Sequence, residues 1–143
     1  MKKVLIVVLI SLALGGGIAY FIFDKVDVEE VVLDDYLFAT AFQIGAFSNY
    51  DNAFRVASRN NGIVVSDDDI FRVYVAVLYD EKAIDKLSLY YDSIGLNYYL
   101  KRIKVSNNFV DDIRDKEELL LRSSNDTFSV INKSVLSHFQ EVV

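Results

Sequence analysis

Apolar and polar positions divide the chain into three stretches. From Val4 to Phe23, twenty residues pass without a charge, and Ser11 is the clearly polar side chain among them. A helix rises about 1.5 Å per residue and the hydrocarbon layer is about 30 Å thick, so the pattern predicts a transmembrane helix over 4–23. A cleaved signal peptide, with Ala13-Leu14-Gly15 as its cutting site, and a buried core helix are the alternatives. Secretory apolar regions run about 7–15 residues, and this one continues through Ile18 to Phe23, which favours an anchor that is kept. Residues 24–36 then alternate acids with Val26, Val28, Val31, Val32 and Leu33, the pattern of an acidic stalk.

Beyond the stalk the period changes several times. Phe38 to Phe47 alternates as a strand, with Phe42 and Ile44 on one side and Ala41 and Gln43 on the other. Asn49 to Asn61 reads as a helix capped by Asn49 or Asp51 and closed by Asn61-Gly62. Ile63 to Val65 is a short strand, Ser66 to Asp69 a turn, and Ile70 to Leu78 a β-branched strand. Strict alternation there puts Phe71, Val73, Val75 and Val77 on one face and Ile70, Arg72, Tyr74 and Ala76 on the other. Asp80 caps a second helix, whose stripe runs through Ala83, Leu87, Tyr90/Tyr91 and Ile94 to Gly95, and Asn97 to Val105 is a last strand.

The order is βαββαβ, and it repeats internally: Gln43-Ile44-Gly45-Ala46-Phe47 before Asn52-Ala53 aligns with Tyr74-Val75-Ala76-Val77-Leu78 before Lys82-Ala83. Two βα units with right-handed crossovers predict an α+β, ferredoxin-like domain over 37–105. It would have a four-stranded antiparallel sheet, both helices on one face and the other face open to solvent. That open face would display Gln43, Arg72 and Tyr74. Residues 106–143 form a helical extension, with Phe109–Arg122 and Asp126–Val142 as two amphipathic helices. Their apolar stripes suit either packing on the chain's own domain or docking of a membrane or division protein.

Charge narrows the function. Lys2 and Lys3 precede the apolar run, and Asp24, Asp27, Glu29, Glu30, Asp34 and Asp35 follow it, which predicts residues 1–3 in the cytoplasm and the domain outside the cell membrane. Setting aside Lys2, Lys3, Lys25 and Asp24 leaves 12 basic and 20 acidic residues, a net charge of −8, which speaks against nucleic acid as a partner. Without cysteine there is neither a disulfide nor a thiolate metal site. Asp67-Asp68-Asp69 lacks the alternating spacing of an oxygen cage and reads as a solvated turn, so no metal site is expected. The single His138 has no triad neighbours in the sequence, and no nucleophile or zinc motif is present. A catalytic function is not expected, nor is a cofactor.

Phe42-Gln43-Ile44-Gly45-Ala46-Phe47-Ser48-Asn49, then Asn52-Ala53, Phe71-Arg72-Val73-Tyr74-Val75, Ala83 and Gly95, carry a family likeness. Residues 37–105 resemble the SPOR domain, a bacterial module with this βαββαβ order. The resemblance implies binding to peptidoglycan glycan strands stripped of stem peptides, at sites of wall remodelling in division or sporulation. It implies a glycan site made of Gln43, Ala46, Ile70, Arg72, Tyr74 and Leu100, with Arg102 as the alternative to Leu100 on the last strand. The chemistry of those residues is compatible: an amide for acetamido groups, a guanidinium for hydroxyls or a lactyl carboxylate, and an aromatic ring for a sugar face. The competing reading is a membrane-anchored interaction module that has lost glycan binding and recruits a partner through its C-terminal helices.

Overall fold

The computed structural model describes residues 36–142; the expected transmembrane helix over 4–23 and nearly all of the expected stalk lie outside the described residues. Among the described residues no helix is long and apolar enough to cross a membrane. The described part is mixed α+β. Strands β1 (Tyr36–Phe47), β2 (Ile63–Asp67), β3 (Ile70–Leu78) and β4 (Tyr99–Ser106) form an antiparallel sheet in the order β2-β3-β1-β4. Helices α1 (Tyr50–Arg59) and α2 (Glu81–Ser93) connect strands, and α3 (Asn107–Arg122) and α4 (Phe128–Val142) follow the last one.

The helix boundaries follow from local chemistry. Asn49, Asp80 and Ser106 each accept a first-turn amide through a side-chain oxygen, at 3.2, 2.9 and 3.2 Å, which starts α1, α2 and α3. At the end of α1, Asn61 takes the left-handed conformation (φ 53°) and the Gly62 amide donates to the Ala57 carbonyl at 2.8 Å. A Cβ on Gly62 would lie 2.7 Å from the Tyr74 carbonyl oxygen. The glycine therefore serves the approach of the chain to β3, while asparagine absorbs the unfavourable φ.

The simple alternation expected for β3 does not hold along its whole length. Gln43 pairs with Tyr74 and Phe42 with Ala76, so Val75 is an extra residue; on β1, Ile44 is extra between Gln43 and Gly45. Each irregularity reverses which face the following side chains take. Phe71 and Val73 face α1, packing near Ala53 and Ala57. Past the bulge it is Ala76 and Leu78, with Phe42, that pack against Ala83, Leu87 and Tyr91 of α2. Val77 turns to the opposite face and joins Tyr74 there.

That opposite face is the one expected to be open, and half of it is covered. Ala39, Ala41, Tyr74, Val77 and Val105 form one buried cluster with Phe109, Val110 and Ile113 of α3 and Val135, Leu136 and Phe139 of α4. The physical reason is mutual: this end of the face is apolar, and the stripes of α3 and α4 need a partner surface. The C-terminal helices thus build a second core layer for the domain.

A free edge adds to this. β2 reaches only the Ile63–Tyr74 pair, which leaves Val75 to Leu78 without a strand neighbour on that side. α4 lies against this part of β3, with Phe128 and Ile131 joining Val75 and Ala76, and Val135 and Leu136 joining Tyr74 and Val77. A helix there shields strand edge that would otherwise be open to pairing. α3 is fastened at its far end too. The buried Glu117 carboxylate accepts the Tyr79 and Asp80 amides, and Lys86 Nζ of α2 donates to the carbonyls of Leu120, Leu121 and Ser123 at 3.0, 2.8 and 2.8 Å.

Candidate functional site

The uncovered half of this face carries the polar residues. Pairing places Gln43 opposite Tyr99 of β4, Ala46 opposite Arg72, and Asp67 opposite Ile70, while Lys101 pairs with Ala41. Directly paired residues project to the same face, so Gln43, Ala46, Asp67, Ile70, Arg72, Tyr99 and Lys101 share it. Tyr99 is 67 % exposed and Ile70 41 % exposed, which leaves a flat aromatic surface and an apolar shoulder beside the polar groups.

Arg72 is the hub. Its Nε donates to Asp67 Oδ2 at 2.6 Å, and its Nη1 donates to Gln43 Oε1 at 3.4 Å. Lys101 Nζ reaches the same Asp67 oxygen at 3.0 Å, so one carboxylate from β2 gathers cations from β3 and β4. The Arg72 hydrogen bond, seconded by that from Lys101, holds the Asp67 carboxyl below the usual carboxylate range. Two cations against one anion leave the cluster with one net positive charge on an otherwise acidic chain. The guanidinium and ammonium keep further N–H groups for hydroxyls or a carboxylate, and the Gln43 amide nitrogen is a donor to a carbonyl.

Of the six residues implied by the family resemblance, Gln43, Ala46, Ile70 and Arg72 come together here. Tyr74 shares their face, yet it is only 3 % exposed because α4 packs on it, and burial pushes its hydroxyl pKa up. Its ring is not free to meet a sugar. Leu100 pairs with Phe42 and Arg102 with Thr40, which puts both on the opposite face, where Arg102 lies over the Phe38 ring at 4.5 Å. The residues that β4 does contribute are Tyr99 and Lys101. The difference is one residue of register, and with a period of two that exchanges every side chain between faces. The usable signal was the pair Tyr99 and Lys101 alternating with Leu100 and Arg102. Only the strand pairing shows which set joins Gln43.

Asp67 belonged, in the sequence, to a triplet of turn acids. Asp68 indeed takes the turn position (φ 53°), but Asp67 ends β2 and becomes the cross-sheet tie. Among the described residues no group of three or more possible ligands is placed to hold a metal ion. His138 has Nε2 2.8 Å from Asp112 and Nδ1 3.8 Å from Glu141, so both ring nitrogens face carboxylates.

No family model, no curated protein and no solved structure matches the chain.

Proposed function

We propose that the chain is a membrane-anchored, non-catalytic, SPOR-like protein whose ferredoxin-like outer domain binds denuded peptidoglycan glycan through the uncovered half of its sheet. One observation carries this reading: the sheet gathers an exposed aromatic ring, an amide and two cations, Tyr99, Gln43, Arg72 and Lys101, on one rigid surface. A sugar chain offers ring faces, acetamido groups, hydroxyls and lactyl carboxylates, and each has a counterpart there. With the apolar run as an anchor, a stalk of about 13 residues reaches at most about 40 Å, which confines the domain to the wall layer nearest the membrane. Tethering of this kind raises effective concentration, so weak contacts suffice to hold the protein at sites of remodelling.

The apolar stripes of α3 and α4 are spent on the domain's own core, and what they leave at the surface includes Leu119 and Val130. A docking role for these helices would have to use such isolated side chains, so the sheet patch is the better candidate. The test is retention of the full chain, in detergent, on purified sacculi with and without stem peptides. Denuded sacculi should retain it more strongly, and a Tyr99→Ala/Gln43→Ala double variant should bind about tenfold more weakly, equivalent to about 1.4 kcal/mol. Equal retention of the variant and the unaltered chain would remove this patch as the site.

A further inference from the structure

A second site lies away from the sheet patch and shares none of its residues. Where the last turns of α1 and α2 meet the start of α4, above Val75, there is a cavity of about 170 Å³. Its wall is neutral throughout: Asn60, Asn61, Ser129 and Asn132 supply polar groups, and Tyr90 and Tyr91 supply ring surface. Two bonds tie its parts together. Asn61 Nδ2 donates to Ser129 Oγ at 3.3 Å, and Asn132 Nδ2 donates to Tyr91 Oη at 3.1 Å.

Asn132 is the feature that needs an explanation. It is 3 % exposed, and its Oδ1 is a buried side-chain oxygen without a hydrogen-bond partner. Buried acceptors are rarely left unpaired, and because Asn132 lines the cavity, a small turn of its side chain would offer this oxygen to a group bound there. The group received is an amide. In the orientation described, the free end of Asn132 is an acceptor; with the side-chain amide turned over, Tyr91 would donate to the oxygen and the free end would be a donor. A secondary amide answers both, having one N–H and one carbonyl. Tyr91 Oη, while it accepts from Asn132, keeps its own proton for the ligand's carbonyl.

We propose that this cavity is a binding site for a neutral N-acetylated sugar, with the acetamido group against Asn132 and Tyr91 and the ring against the tyrosines. The cavity opens to solvent, so its volume of about 170 Å³ takes the acetamido group and one edge of the ring while the remaining hydroxyls stay in water. The absence of a charged side chain in the wall argues against a carboxylate or an amine. α4 supplies Ser129 and Asn132, so the site exists only because the C-terminal helix packs on the βαββαβ part. The inference does not depend on the sheet patch.

The test is a titration of the full ¹⁵N-labelled chain in detergent micelles with N-acetylglucosamine, glucose and N-acetylalaninamide, read from amide chemical shifts. The expected result is saturable shifts at Asn61, Tyr91, Ser129 and Asn132 with N-acetylglucosamine, at least tenfold weaker with the other two. Asn132→Leu, which has the same number and branching of side-chain heavy atoms and no polar group, should weaken the sugar at least tenfold while keeping a dispersed spectrum. If that variant does not fold, Ser129→Tyr, which narrows the entrance from an exposed position, serves in its place and should have the same effect. Three results overturn the site: no saturable shift, as for a cavity that holds only water; equal binding of N-acetylalaninamide; or shifts confined to Gln43, Arg72 and Tyr99. The last would support the sheet patch while removing the cavity.

Discussion

The two halves of one sheet face have different fates. At one end Ala39, Ala41, Val77 and Val105 lie under Phe109, Ile113, Val135 and Leu136; at the other, Gln43, Arg72, Tyr99 and Lys101 stay at the surface. The same strands supply both halves. What separates them is the bulge pair at Ile44 and Val75, together with the length of β2, which stops at the Tyr74 pair and leaves α4 a place beside β3. A sheet face is thus assigned to core or to binding one segment at a time, according to what can cover it.

The comparison breaks most visibly in the covered half. Phe109 is fully buried there, and Phe109→Ala should cost about 3–5 kcal/mol in urea unfolding of the full chain. A loss near 1 kcal/mol would mean that α3 is a loosely attached appendage. The C-terminal fastening of α3 comes next. Lys86→Met removes three charge-assisted hydrogen bonds to the last carbonyls of α3 and should cost about 1.5–3 kcal/mol, measured in the same way.

Glu117 gives the comparison a pH dependence. Burial raises its carboxyl pKa above the usual 4.5, against the lowering effect of the Asp80 and Tyr79 amides. The folded state therefore holds the proton more tightly than the unfolded chain. The stabilisation from this group is complete below pH 4.5 and is lost as pH rises through the raised folded value. Glu117→Gln keeps an acceptor for both amides and never ionises. Unfolding midpoints at pH 4 and pH 7 should therefore shift in favour of the variant at the higher pH, whereas parallel profiles would show that Glu117 is not desolvated.

The smallest expected effect lies in the open half. Tyr99→Ala should change stability by no more than about 0.5 kcal/mol, since the residue is mostly exposed, while lowering retention on denuded sacculi. A large stability loss would show that Tyr99 belongs to the core, and the contrast between the two halves would fail.

The sequence by itself determined the order of elements, the cap at Asp80, the bounds of β3 and an α+β domain, while leaving both Asn49 and Asp51 open as the cap of α1. These depend on side chains within a few residues of one another, and periodicity and capping report on that range. It also placed Gln43, Ile70 and Arg72 on one face by alternation, whereas alternation along β1 puts Ala46 with Phe42 and Ile44, and it is the extra residue at Ile44 that brings Ala46 round to the face of Gln43. Only the tertiary structure decided that Tyr74 is roofed by α4, that Tyr99 and Lys101 rather than Leu100 face Gln43, and that Asp67 ties three strands together. Each of these turns on a contact between residues far apart in the chain: a register between β1 and β4, a missing length of β2, a helix returning to a free edge. No local pattern encodes such a contact, because each partner alone is equally compatible with solvent.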